Sequence, residues 1–186
     1  MDRPLPTFAR LDRSLLPGRH PFVALLPGAA ASPALARIAR NGAHLLGWAT
    51  VWIRGRRGYA FVDVEERCIV LSERYLREGD ELDLYLDLLH ELTHLRQLED
   101  GLDLWDERFP YVDRPTEVEA YAVAVGEGRR LGMTEPEIGS HLANPWMSPA
   151  EVRRLLAHVD AFLAGLPLPN LAPARQPGPR RSYRPW

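Results

Sequence analysis

The chain lacks the features that mark several large classes of protein. Its single cysteine, Cys68, cannot form an internal disulfide, and the strand-like neighbours 67–71 favour a buried structural thiol over a nucleophile. No apolar run approaches the ~20 residues that a membrane-spanning helix needs. The formal net charge of −2 and the pI near 6.3 give no electrostatic basis for binding nucleic acid. We therefore expect a protein that binds neither membranes nor nucleic acid.

Other absences narrow the expected function. The sequence contains no serine or cysteine nucleophile motif, no phosphate-binding loop and no cysteine-rich zinc motif. It also has no secretory signal at its start, so we expect a cytoplasmic location. The remaining candidates for chemistry are histidines and carboxylates.

The chain length and the distribution of proline predict one domain with two tails. A length of 186 residues is enough for one real core. Residues 1–20 hold scattered prolines and arginines, which predicts an extended N-terminal arm. Residues 166–186 are rich in proline and arginine and contain no acid, which predicts a disordered tail. The single domain is therefore expected over residues 21–165.

Three β-rich segments predict a small sheet. Residues 46–53, 59–64 and 68–71 are rich in aromatic and β-branched side chains and are joined by short polar links. Such spacing predicts a mainly antiparallel meander packed on helices. Before the first strand, Ser32-Pro33 is expected to begin a short helix that Asn41-Gly42 ends. We expect an α+β fold.

The longest predicted helix lies at the centre of the chain. Asp80 is a suitable N-cap, and Gly101 is expected to end the helix after Asp100. Leucines recur on several faces of this segment, which indicates a helix buried on most sides. One edge carries histidines and acids instead.

That edge contains the pattern H-E-x-x-H at His90, Glu91 and His94. Histidines four apart on a helix lie one turn above each other, so both imidazoles can bind one zinc ion. The glutamate between them points to the neighbouring side of the turn, where a general base is needed. With 6 histidines and 14 glutamates in 186 residues, random order gives only ~0.015 such matches.

A catalytic zinc site usually has three protein ligands, so one more is needed. A second long helix is predicted from Pro115 to about Arg130, and its first turns carry Glu117 and Glu119. These two residues are two apart and point to different sides of the helix, so they cannot easily both bind. The spacing alone leaves the choice between them open.

Together, these motifs resemble the gluzincin zinc metallopeptidases, in which a glutamate on a later helix completes the H-E-x-x-H site. In the HtpX-like and ImmA/IrrE-like branches that glutamate belongs to a pattern E-x-x-A-(D/N), and Glu117 and Ala120 match it. Tyr121 occupies the position that is usually Asp or Asn. The resemblance covers residues 68–125 and implies that Glu117 is the third ligand, with Glu119 as the alternative.

The resemblance implies a zincin-like helical core and hydrolysis of peptide bonds in a protein or peptide substrate. Zinc bound by His90, His94 and Glu117 would polarise the scissile carbonyl, while Glu91 would take a proton from water and pass it to the leaving amine. A further donor often stabilises the developing oxyanion in such enzymes. The candidates for that donor are His141, Tyr111 and Tyr121.

Two other hypotheses remain open from the sequence. The metal could stiffen a pair of helices in a non-catalytic binding or regulatory module, and then Glu91 would have no essential role. Alternatively, the motif is accidental and the protein acts through its loop at 102–114 or its basic tail. A metal measurement tests whether the motif is accidental, and the substitution Glu91→Gln separates a peptidase from a non-catalytic module.

Overall fold

The computed structural model describes residues 5–55 and 58–166. This part of the chain is mixed α and β, with eight α-helices and one four-stranded sheet. From residue 167 onwards, the predicted tail lies outside the described residues. The strands are β1 (Gly18–Pro21), β2 (Thr50–Arg54), β3 (Ala60–Asp63) and β4 (Cys68–Ser72). The helices are α1 (Phe22–Leu25), α2 (Leu35–Ile38), α3 (Gly42–Trp48), α4 (Glu73–Glu78), α5 (Glu81–Glu99), α6 (Pro115–Arg130), α7 (Glu135–Leu142) and α8 (Pro149–Leu163).

The sheet is mixed, and its strand order is β1-β2-β4-β3. The pairs β1/β2 and β3/β4 are antiparallel, whereas β2 and β4 are parallel. The predicted meander of three consecutive strands is therefore wrong. All five residues of β4 are buried, including Cys68. A strand buried on both faces is best placed inside a sheet, which leaves the less buried β3 at an edge.

The segment before β2 is helical where the sequence predicted a strand. The side chain of Asn41 accepts a hydrogen bond from the backbone N–H of His44 at 3.0 Å and caps α3. Asn41-Gly42 therefore begins a helix rather than ending one, because the same amide that ends a helix can also cap its start. The predicted strand is retained from Thr50 onwards.

Part of the predicted N-terminal arm belongs to the fold. Leu5 and Ala9 are buried in the core, and β1 forms an edge strand against β2. Arg13 donates hydrogen bonds to the carbonyl oxygens of Arg77 at 3.3 Å and Gly79 at 2.9 Å. The terminal Pro21 is compatible with β1 because an edge strand leaves some of its backbone donors unpaired.

Helix α5 lies at the centre of the molecule, and its predicted limits are confirmed. It packs against α6 on one side and against α2, β3 and β4 on others. Asp80 caps it by accepting hydrogen bonds from the backbone N–H groups of Leu82 and Asp83 at 2.9 and 3.1 Å. Within the described ranges, no helix is both long and apolar enough to cross a membrane.

Candidate metal centre

The two histidines of the motif are buried on one face of α5. Because one helical turn separates them, their side chains lie close together. The Nε2 atoms of His90 and His94 are 2.9 Å apart, and the ring planes meet at 84°. Both imidazoles therefore direct a nitrogen towards the same point.

Glu117 approaches that point from the neighbouring helix. It lies in the first turn of α6, which begins at Pro115 as predicted and packs against α5. Its Oε2 atom is 3.5 Å from the Nε2 atom of His90 and 3.5 Å from that of His94. This oxygen is buried and has no hydrogen-bond partner in the described chain.

The three side chains fit a metal ion. Their ligand atoms all lie within 4.8 Å of one another, and they form the one such histidine, cysteine and carboxylate group found in residues 5–55 and 58–166. Ligand atoms about 2.0–2.1 Å from a tetrahedral zinc lie about 3.3 Å apart. The observed separations of 2.9 and 3.5 Å are close to that value. This buried group can therefore hold a metal ion.

Glu119, the alternative ligand, faces away from the histidines. Its carboxylate pairs with Arg96 at 2.5 Å and accepts a hydrogen bond from Gln97 Nε2 at 2.7 Å. Glu117 and Glu119 are two apart on α6, so their side chains leave the helix in different directions. Glu117 therefore lies against the two histidines, whereas Glu119 binds Gln97 instead.

Gln97 in turn orients His94. The Nδ1 atom of His94 is 2.7 Å from Gln97 Oε1, which can only accept, so this ring nitrogen carries a proton. Gln97 is itself fixed across the helix pair, because its Nε2 donates to the backbone oxygen of Thr116 at 3.0 Å and to Glu119. A proton on Nδ1 reserves Nε2 for a metal ion.

His90 is held by an aromatic ring instead. The ring of Tyr121 lies 4.3 Å from that of His90, centroid to centroid, and the Nδ1 atom of His90 is buried without a hydrogen-bond partner among residues 5–55 and 58–166. The Tyr121 hydroxyl is 2.8 Å from the Tyr111 hydroxyl and accepts a hydrogen bond from Asn144 at 3.1 Å. Tyr121 therefore contacts His90 by packing of the two rings.

The electrostatics of the three groups follow from burial and proximity. Burial and the neighbouring His94 lower the pKa of His90 to about 4. Burial also opposes a charge on His94, but the Glu117 carboxylate outweighs it and raises the pKa of His94 to about 9. Burial would raise the pKa of Glu117, yet the two histidines hold it below its usual value. The metal-free site thus contains one imidazolium, one neutral imidazole and one carboxylate.

Glu91 lies beside this group without belonging to it. It is 9% exposed, and burial raises the pKa of its carboxyl to about 8. The negative charges of Glu117 and Asp87 act in the same direction, whereas His94 and the backbone N–H of Val62 in β3 oppose them. A cation bound nearby would favour the ionised carboxylate.

His141 belongs to a separate ion-pair network on the same face of α5. Its Nδ1 atom is 2.9 Å from Asp83, and its Nε2 atom is 3.8 Å from Asp87. Asp87 also accepts a hydrogen bond from the hydroxyl of Tyr75 at 2.6 Å. Asp83 and Asp87 precede His90 by seven and three residues, so the network continues the edge that carries the metal group.

Comparisons with known proteins leave the chain without an assigned family. No protein-family model, curated protein or solved structure matches it. The resemblance to gluzincins therefore stays a prediction, and the geometry of the site is the basis for any function.

Two residues that border the site were not predicted from the sequence. Gln97 is three residues after His94, and this helical spacing could have identified it as a possible partner. Arg114 precedes Pro115 and gave no signal, because only the folded chain places its guanidinium 3.8 Å from Glu117 Oε1.

Proposed function

We propose that this protein is a zinc-dependent peptidase with a zincin-like core. The observation that carries the proposal is the buried group His90, His94 and Glu117 with Glu91 beside it on the same helix. Two imidazoles and one carboxylate form a ligand set that catalytic zinc sites use. A purely structural site has no need for a fourth, unligated carboxylate at this position.

The chain's own residues supply acid and base catalysis in this proposal. Zinc in the site would provide Lewis acidity, polarising the scissile carbonyl and making water more acidic. Glu91 accepts a proton from the attacking water and returns it to the leaving amine. Burial raises the pKa of this carboxyl, which makes it a stronger proton acceptor, and a bound zinc ion would favour the ionised form that accepts the proton.

Hydroxyl donors for the developing oxyanion are available on the His90 side. The Tyr121 ring contacts His90, and its hydroxyl is bonded to that of Tyr111. Burial raises the pKa of both hydroxyls, so both keep their protons; one proton lies in the hydrogen bond between them, and the other can be donated. His141 is a weaker candidate because Asp83 binds its Nδ1 atom at 2.9 Å and the Asp87 carboxylate lies 3.8 Å from its Nε2 atom.

Glu91→Gln tests the proposal directly. The zinc-loaded wild type and this variant are incubated with a proteome-derived peptide library, and new termini are identified by mass spectrometry. We expect the variant to keep stoichiometric zinc but to lose cleavage by a factor of at least ~100, since it cannot accept the proton. Glu99→Gln, an exposed position on α5, is the matched control and should cleave like the wild type.

Two results would contradict the proposal. Cleavage retained by Glu91→Gln would exclude the mechanism. Stoichiometric zinc that raises the melting temperature, without cleavage of any peptide by the wild type, would instead favour a non-catalytic module that the metal stabilises.

A further inference from the structure

Arg114, at the start of α6, is an underpaired buried cation. Its side chain is 11% exposed, and its closest ion-pair contact joins Nη1 to Glu117 Oε1 at 3.8 Å. That distance exceeds the range of a hydrogen bond. Its Nε atom is sealed from solvent and has no partner among the described residues.

Another shielded arginine is paired more closely. Arg96 is 17% exposed, and although its Nε atom also has no partner among the described residues, its other two nitrogens contact Glu119 at 2.5 Å and Asp100 at 2.8 Å. A guanidinium has five donors in a planar fork, and leaving buried donors unpaired is unfavourable. Such a group marks a place where a bound molecule completes the hydrogen bonds.

The surroundings of Arg114 favour an anion. It is the N-cap residue of α6, and no side chain caps that helix end, so the positive end of the helix dipole lies there. The Oγ atom of Thr116, in the first turn, is also buried without a partner in the described chain. An oxyanion could accept hydrogen bonds from these groups.

Arg114 also lies at the rim of the metal group. Glu117 directs Oε2 towards the histidines and Oε1 towards Arg114. The rings of Trp105 and Tyr111 lie 5.8 and 5.9 Å from the guanidinium carbon, and Trp105 is 47% exposed. The guanidinium therefore lies between the buried metal ligands and the aromatic side chains of the loop that precedes α6.

We propose that Arg114 binds a carboxylate of the substrate close to the bond that is cleaved. This proposal rests on the proposed peptidase function and names the class of substrate. The planar fork of arginine matches a carboxylate in two parallel hydrogen bonds. The carboxylate is either the C-terminus of a peptide or an acidic side chain, and both present the same two oxygens.

Two hydroxamates of equal length test Arg114 without a known substrate. Succinic acid monohydroxamate carries a carboxylate, and the corresponding monoamide carries a neutral group in its place, while the hydroxamate end of both binds zinc. Isothermal titration of the zinc-loaded wild type should show the carboxylate form binding about tenfold more tightly. Arg114→Met should bind the two forms equally and keep its zinc.

Two further variants separate the role of Arg114 from folding and from net charge. Arg154→Met removes another positive charge near the start of α6, where Arg154 pairs with Asp113, and should keep the full preference. Arg114→Lys keeps the charge but loses the planar fork, so its preference should fall at least about threefold. It also serves as the test if Arg114→Met does not fold.

Peptide competition identifies the source of the carboxylate. One peptide pair has a free or an amidated C-terminus, and the other has blocked ends with an internal Glu or Gln. The carboxylate member of one pair should displace the hydroxamate better, and Arg114→Met should remove that advantage.

The proposal for Arg114 would be overturned if the zinc-loaded wild type bound both hydroxamates equally. It would also be overturned if Arg114→Met or Arg114→Lys kept the full preference for the carboxylate form. Neither result would contradict the metal centre. Failure of the wild type to retain zinc or to bind either hydroxamate would contradict the proposed peptidase function, and the proposal for Arg114 with it.

Discussion

The Nε2 atoms of His90 and His94 lie 2.9 Å apart, but the two rings are held in different ways. His94 is fixed by hydrogen bonds, since Gln97 binds its Nδ1 atom and is itself held by Glu119 and the Thr116 backbone. His90 is fixed by packing against Tyr121, and its Nδ1 atom has no partner in the described chain. The site therefore has a polar side and an aromatic side.

The two imidazoles on α5 therefore differ in how firmly the ring angle and the proton position are fixed. A hydrogen bond to Nδ1 sets both the proton position and the ring angle, whereas an aromatic neighbour limits only the ring angle. Glu117 contacts both histidines, and its carboxylate holds a proton on His94 rather than on His90. We expect the two sides to respond differently to substitution.

The largest expected effect is on the shared ligand. Glu117→Ala removes one of three ligands and should lower zinc affinity at least ~100-fold, because two histidines alone do not complete a site. Glu119→Ala is the matched control and should lower it less than ~10-fold, since it only loosens Gln97. Elemental mass spectrometry of the purified proteins measures both. Equal loss of zinc in the two variants would contradict the assignment of Glu117.

The pH dependence of zinc binding should report the unequal protonation of the histidines. With His94 protonated up to a pKa of about 9 and His90 neutral above a pKa of about 4, binding displaces one histidine proton between about pH 5 and pH 8. In Glu91→Gln, where position 91 cannot titrate, zinc affinity should therefore rise about tenfold per pH unit. Titration against a competing chelator measures this slope. A slope near two, that is, an affinity that rises about a hundredfold per pH unit, would mean that both histidines are protonated before zinc binds.

Loss of the polar support should have an intermediate effect. Gln97→Leu removes the hydrogen bond to His94 and should lower zinc affinity ~10–100-fold, or about 1.4–2.7 kcal/mol, as is usual for such outer partners. The spectrum of the cobalt-substituted protein should also change, because the His94 ring is no longer held at one angle.

A paired exchange at positions 97 and 119 separates orientation from simple destabilisation. Gln97→Glu alone places two carboxylates side by side, and adding Glu119→Gln restores a donor and acceptor between them. The double variant should recover part of the lost zinc affinity, because a carboxylate at position 97 still cannot donate to the backbone oxygen of Thr116. No recovery would mean that Gln97 supports the fold rather than His94.

The aromatic side should be the least sensitive. Tyr121→Phe keeps the ring against His90 and removes only the hydroxyl that meets Tyr111 and Asn144. Zinc affinity should change less than about threefold, since no hydrogen bond to His90 is lost. A large loss, measured by the same chelator competition, would show that the hydroxyl network orients His90 after all.

Local signals along the chain predicted much of the helical framework. Asp80 caps α5 and Pro115 begins α6 as expected, because capping depends on neighbours within one turn. Capping boxes, formed between residues three apart, begin α7 at Thr134 and α8 at Ser148. The prediction at Asn41 was wrong. An asparagine is suited to either end of a helix, and Asn41 was expected to end one, whereas it caps the start of α3.

Long-range pairing could not be predicted in this way. The parallel contact of β2 with β4 joins segments that are separated by β3, and its formation depends on how completely β4 is buried. The residues within three or four positions of either strand do not determine which strand it will pair with. The ordered part of the N-terminal arm has the same origin, because β1 is stabilised by a distant strand.

The sequence by itself determined that His90 and His94 share one helical face, since a spacing of four residues fixes their proximity through the geometry of the helix. Only the tertiary structure decided that Glu117, and not Glu119, meets them, that Gln97 orients His94, and that Arg114 lies at the rim. Those contacts depend on the rotation and separation of α5 and α6, which the packing of side chains from the whole chain sets.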